Sequence, residues 1–209
     1  MENDIKVDVV IAGVGVAGLF TAIHLPMYTK VLMICKEDME SCDSMLAQGG
    51  ICVLRDADDY DAFFEDTMRA GHYENRKESV DIMIRSSRDI IDQLLDFGVR
   101  FNKNEDGSLM YTREGAHSKP RICFHDDITG KEITETLQRY VKTLPNVEIM
   151  EYTAMEDIMV EEGKCTGLTA KDSEGNTLHI YAKDTVLATG GIGGLYEHST
   201  NFPSLTGDA

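Results

Sequence analysis

The chain has 209 residues, 42% hydrophobic and 27% charged, enough for one ordinary globular domain with a well-formed core. Its formal charge of -17 argues against a nucleic-acid surface or an anionic membrane surface, both of which would repel it. The cysteines, Cys35, Cys42, Cys52, Cys123 and Cys165, form an odd set with no CxxC pair, which argues against a disulfide framework or zinc knuckle and favours a reducing, cytoplasmic setting.

In chain order, residues 7–12 form a β-branched apolar run ended by glycine, which predicts a buried strand. A glycine turn spans residues 13–18, a helix over 19–25 stops at Pro26, and residues 30–35 read as a second buried strand. Together they make one parallel βαβ unit. The stretch 9–29 lacks Asp, Glu, Lys and Arg, yet its glycines, Pro26 and His24 argue against a membrane span, as do the flanking Glu2, Asp4, Lys6 and Asp8.

Beyond a loop at Gly49-Gly50 the pattern becomes helical over 61–70 and 79–97. The second helix carries Val80, Ile84, Ile91, Leu94 and Leu95 on one side, with Gly98 as its stop. Residues 102–121 read as a polar loop or hairpin. A third helix over 131–143 repeats Ile133, Leu137, Tyr140, Val141 and Leu144, with Thr129 as N-cap. The period then changes to two. Strands are expected over 147–152, 154–161, 165–172 and 177–182, with turns at Glu162-Gly163 and Glu174-Gly175, followed by a separate buried strand over 184–189 closed by Gly190-Gly191. The fold class is α/β: one domain over 1–209, a central parallel sheet, and a small antiparallel excursion at about 154–182.

The turn Gly13-Val14-Gly15-Val16-Ala17-Gly18 is a full GxGxxG set between strand and helix. Its first glycine permits the bend, the second admits a pyrophosphate and the third lets the helix pack on the strand. The helix N-terminus then holds the anion. The second strand does not end in the acid that receives ribose hydroxyls in a simple NAD site. It ends in Cys35 and Lys36, with Glu37 one place late, which disfavours an NAD-dependent dehydrogenase. Lys36 is a candidate for the adenosine portion or a phosphate. Gly49-Gly50, about thirty residues past the turn, sits where a flavin ring would need small residues against the backbone.

The chain resembles the flavoprotein superfamily of fumarate reductases, succinate dehydrogenases and L-aspartate oxidases. The matching pieces are GVGVAGL at 13–19, DSMLAQGG at 43–50, TREGAHSKPRI at 112–122, HDDITGKEI at 125–133 and VLATGG at 186–191. They span nearly the whole chain. The resemblance implies a Rossmann-like FAD-binding domain that stops before the family's capping and C-terminal helical domains, an N-terminal part expected to bind FAD weakly and not to turn over. It implies FAD contacts from Asp43, Ser44, Met45, Leu46, Ala47, Gln48, Gly49 and Gly50, from Ala154 and Gly190-Gly191, and from Asp208.

Two positions bring it closest to the L-aspartate oxidase branch. Asp43 stands where covalent relatives carry a flavin-linked histidine, so the FAD is expected to be non-covalent. Glu114 stands where dicarboxylate reductases carry glutamine, and a carboxylate suits a substrate ammonium. The implied reaction is oxidation of L-aspartate to iminoaspartate, with oxygen or fumarate as acceptor, feeding quinolinate synthase in NAD biosynthesis. A fumarate reductase or succinate dehydrogenase-like enzyme and a non-catalytic flavin-binding module are the alternatives. His117 and His125 read equally as site groups or structural ones, and Arg113 and Arg121 as carboxylate binders or neutralisers of nearby acids.

Overall fold

The computed structural model describes residues 3–209. Its elements are β1 (Asn3–Ala12), α1 (Val16–His24), β2 (Val31–Ile34), β3 (Ile51–Cys52), α2 (Tyr60–Ala70), α3 (Lys77–Asp96), β4 (Ile122–Cys123), α4 (Thr129–Val141), β5 (Val147–Met150), β6 (Ala154–Glu161), β7 (Lys164–Lys171) and β8 (Thr177–Leu187). The chain divides into two compact units, Met1–Leu46 with Thr134–Ala209, and Ala47–Ile133.

The first unit is built on a six-stranded sheet in the order β5-β2-β1-β8-β7-β6. The pairs β5–β2, β2–β1 and β1–β8 are parallel, while β8–β7 and β7–β6 are antiparallel. This is the expected α/β fold with its antiparallel excursion. The central strand β1 buries Val9, Val10, Ile11 and Ala12 in succession, because a parallel strand covered on both faces cannot alternate with polar residues. Val10, Leu32, Leu168 and Ile180 pack in one cluster across neighbouring strands. Helix α1 buries Gly18, Leu19 and Ala22. It ends at Leu25, which is extended (φ -74°, ψ 144°) because the ring of Pro26 disfavours a helical residue before it.

The expected break between strands 177–182 and 184–189 is absent, and β8 runs unbroken from Thr177 to Leu187. The polar Lys183-Asp184 pair interrupts the apolar pattern without a glycine or proline to bend the backbone. Lys183 Nζ instead pairs with Asp8 Oδ1 on the neighbouring β1 at 2.7 Å. Tyr140, expected on the apolar side of α4, is 37% exposed; Leu137 and Val141 carry that face.

In the second unit α2 and α3 pack through Phe63, Met68, Val80 and Ile84. Gly98 follows α3 at φ 96°, as a left-handed stop. The β3–β4 ribbon pairs Ile51 with Cys123 and Cys52 with Ile122, two residues a side, too short for any periodicity to announce. Thr129 is not an N-cap. It is the first residue of α4, and its hydroxyl accepts the His125 N–H at 2.9 Å from the preceding turn. Among the described residues no helix is long and apolar enough to cross a membrane.

Candidate dinucleotide site

The first unit holds a crevice of about 450 Å³ at the carboxyl ends of β1, β2 and β8, within the ~300–1,000 Å³ typical of small-molecule sites. Strand β1 lies between β2 on one side and β8 on the other. An open α/β sheet binds ligands where its connections diverge in this way.

The glycine turn forms the floor. Gly13 lies at φ 117°, and a β-carbon there would stand 2.1 Å from the Ala188 carbonyl oxygen. A β-carbon on Gly18 would stand 2.1 Å from the Gly13 carbonyl oxygen, so the helix reaches its turn only through glycine. Gly15 caps α1 with no side-chain hydrogen bond, and the first helical turn carries no acid. The start of α1 thus lines the crevice with no acid in its own first turn, and there Val16 N–H donates to Ser44 Oγ at 3.1 Å. A diphosphate needs a bare helix N-terminus with no β-carbon in its path, and these residues supply it.

Of the expected cofactor residues, Gly13, Val14, Gly15, Val16, Ala17, Lys36, Asp43, Ser44, Gly190 and Asp208 line the crevice. Gly18 lies buried beneath the turn. Met45, Leu46, Ala154 and Gly191 do not line it, although Thr153 and Met155 on either side of Ala154 do. Lys36 Nζ donates to Asp208 Oδ2 at 2.7 Å and to Thr206 Oγ1 at 2.9 Å, so two of the expected residues pair with each other. That contact and Thr206 hold the Asp208 carboxyl below its ordinary pKa, against the opposing effect of burial. Asp43 accepts Phe202 N–H at 2.9 Å and the Asn201 side-chain amide.

Glu37 and Asp38 also line the crevice, directly after β2. They stand near where ribose hydroxyls meet carboxylates in dinucleotide folds; Glu37 is the acid that the sequence places one position late, and Asp38 follows it. Phe202, Ser204 and Leu205 line it from a segment with no sequence periodicity at all. Burial pushes the Cys35 thiol up to about 12, which leaves it protonated and inert beside the site.

Ala47, Gln48, Gly49, Gly50 and Glu114 belong to the second unit. A β-carbon on Gly50 would stand 2.5 Å from the Cys123 carbonyl oxygen, whereas Gly49 faces open space. Glu114 and Arg113 are exposed on the loop before β4. Ala116 in that loop is held at φ 71°, the left-handed region that a side chain rarely adopts.

The loop is anchored from below. Asp66 Oδ2 accepts the Ser118 N–H at 2.7 Å and its hydroxyl at 2.6 Å. Arg121, fully buried, reaches Asp59 Oδ2 through Nε at 2.8 Å, Asp59 Oδ1 through Nη2 at 2.7 Å and Asp66 Oδ2 through Nη1 at 2.7 Å. Arg121 is therefore committed to neutralising these two buried acids. It also donates to His117 Nδ1 at 3.0 Å, which places the proton of a neutral imidazole on Nε2. Burial and then the Arg121 charge lower the His117 pKa from its ordinary value. His125 Nδ1 is buried without a hydrogen-bond partner.

A model of the FAD binding domain family matches residues 8–209. The chain belongs to this FAD-binding family. Its cofactor is FAD, which the bare glycine cradle fits. An L-aspartate oxidase of Clostridium acetobutylicum is 48% identical over 98% of the chain, and one of Clostridium perfringens is 44% identical over 97%. The chain spans about half the length of these relatives, 47% and 46% respectively. Among solved structures, a quinol-fumarate reductase with menaquinol molecules superposes with a TM-score of 0.92 at 28% identity, covering 98% of this chain and 36% of that one. An E. coli quinol fumarate reductase variant gives 0.90 at 28% identity, covering 95% and 34%.

Proposed function

We propose that this chain is the FAD-holding part of an L-aspartate oxidase, oxidising L-aspartate to iminoaspartate with oxygen or fumarate as final acceptor. The observation that carries the reading is the acid-free helix N-terminus at Gly13–Gly18, opening on a crevice at the carboxyl ends of β1, β2 and β8. The relatives named for L-aspartate oxidation support the choice of substrate. When bound, the flavin supplies a hydride acceptor.

The protein's part is holding and orienting. The N–H groups of Val14, Gly15 and Ala17 bind the diphosphate, with the Val16 N–H held by Ser44, and Glu37 and Asp38 accept ribose hydroxyls. Residues 43–46, Ala154, Gly190, Gly191 and Asp208 complete the site of the first unit in this reading, with no covalent link from Asp43. Glu114 orients the substrate ammonium by charge. The Asp66–Ser118 and Arg121 contacts fix the loop that carries it, so its position does not have to be organised during the reaction. Residues 1–209 then act as one FAD-binding domain. The product suits a link to quinolinate synthase in a cytoplasmic route to NAD.

The test is titration of the purified chain with FAD, followed by flavin fluorescence. Saturable uptake is expected, and absence of uptake would refute the cofactor assignment for this chain. For the substrate, a chain extended to the relatives' length should be reduced by L-aspartate and not by succinate. The reverse result favours the fumarate reductase-like reading, which the superposition on quinol fumarate reductases keeps in view.

A further inference from the structure

Residues 190–208 fold back on themselves beside the crevice. Gly194 N–H donates to the Leu205 carbonyl at 2.8 Å, so the outgoing and returning arms touch backbone to backbone. Glycine makes this possible: a β-carbon on Gly193 would stand 1.9 Å from Asn201 Oδ1, and one on Gly194 2.5 Å from the Pro203 carbonyl oxygen. The tip is exposed, with Leu195 and Tyr196 each 64% accessible. The returning arm presents Phe202, Ser204, Leu205 and Asp208 to the crevice.

Two clasps fasten this arm to the segment after β2. One is the Lys36 contact with Thr206 and Asp208, an ion pair about a third exposed on both sides and therefore weak. The other is Asp43, whose two oxygens take the Phe202 backbone N–H and the Asn201 side-chain amide. Ser199 Oγ contacts Asn201 Oδ1 at 3.0 Å, which leaves the Asn201 Nδ2 group for Asp43. Hydrogen bonds to an ionised acceptor are the stronger kind. They also spread the Asp43 charge onto two donors, which lets an acid stand in an anion-binding crevice.

We propose that Asp43 is a positioning residue for the dinucleotide, acting through Asn201 and Phe202 to hold residues 190–208 as a fastened wall of the crevice. The proposal rests on the FAD assignment and adds that the clasp, rather than a direct contact from Asp43, governs how fast FAD leaves. The arm must loosen for exchange, and Asp43 sets how often it does.

The experiment measures FAD release by recovery of flavin fluorescence on dilution, in wild type, D43A, N201A, the double variant and D43N. Release is expected to quicken at least tenfold in D43A and about threefold in N201A. The double variant should release no faster than D43A, because both changes break one clasp. D43N should stay within about threefold of wild type, since an amide still accepts the Phe202 N–H. Effects that multiply in the double variant, or D43A and D43N alike with N201A unchanged, overturn the proposal and make Asp43 a direct charge contact. A second readout needs no cofactor: chymotryptic cleavage at Tyr196 of the FAD-free protein should be faster in D43A and N201A, with thermal midpoints near wild type. Equal cleavage in all variants also overturns the proposal. Failure of the wild type to take up FAD refutes the cofactor assignment separately, and cleavage then decides whether the clasp exists.

Discussion

The Ser44 hydroxyl accepts the Val16 N–H at 3.1 Å, joining the loop after β2 to the first turn of α1 across 28 residues of sequence. The hydroxyl satisfies the donor that a diphosphate would otherwise take, and its own proton remains free to be donated. Replacing Ser44 with alanine removes one hydrogen bond of about 1 kcal/mol. The expected result is an FAD affinity lowered about fivefold in a fluorescence titration, with Ser44→Thr close to wild type.

Gly13 and Gly15 should part company when each becomes alanine. At Gly15 the new β-carbon would stand 3.0 Å from the Ser44 hydroxyl, a side chain that can turn away. Gly15→Ala should keep its thermal midpoint within a few degrees and lose FAD affinity at least tenfold. Gly13→Ala meets the Ala188 backbone at 2.1 Å with φ 117°, and should lose about 3 kcal/mol or more of stability in urea unfolding. Equal stability of the two variants would contradict this account of the turn.

Arg121 supports the 112–118 loop from a site with no exposure. Arg121→Met leaves Asp59 and Asp66 buried without their shared partner, at a cost of about 3–5 kcal/mol. Arg121→Lys should recover little, because an ammonium cannot reproduce the two-point contact with Asp59. Urea midpoints of the three proteins give the comparison.

Acid should weaken the same cluster. The His117 pKa is lowered in the folded chain by burial and by Arg121. Its contribution is present above the unfolded value of about 6.5 and is lost as pH falls through the lower folded value. Asp66 is also lowered, because the Ser118 and Arg121 contacts outweigh burial, and Asp59 is lowered chiefly by its hydrogen bonds to Arg121. Their contribution is present above about pH 5 and falls away below about pH 4. The thermal midpoint should therefore be flat above about pH 7 and decline on acidification. His117→Asn, which keeps an acceptor for Arg121 but does not titrate, should remove the upper part of that decline and leave the lower part.

Glu114 provides the test of substrate choice. In a chain extended to the relatives' length, Glu114→Gln should raise KM for L-aspartate by about tenfold and KM for fumarate by much less. A carboxylate attracts only the substrate that carries an ammonium group. Equal changes in both constants would remove the case for its role.

The parallel core and the glycine turn were legible in the sequence. A buried strand announces itself by an unbroken β-branched run, and the three glycines of the turn stand at positions that local backbone geometry fixes. Helices α2, α3 and α4 were legible for the same reason, through repeats of three and four residues. The unbroken course of β8 was not, because Lys183 pairs with Asp8, a residue 175 positions earlier and visible only once β1 and β8 lie side by side. The commitment of Arg121 to Asp59 and Asp66, and the clasp of Asp43 on Asn201 and Phe202, were equally hidden. The sequence by itself determined where a diphosphate would meet bare N–H groups, since that depends on one turn and one helix end. Only the tertiary structure decided which charged side chains are already spent on one another, because ion pairs form between groups that folding, not chain order, brings together.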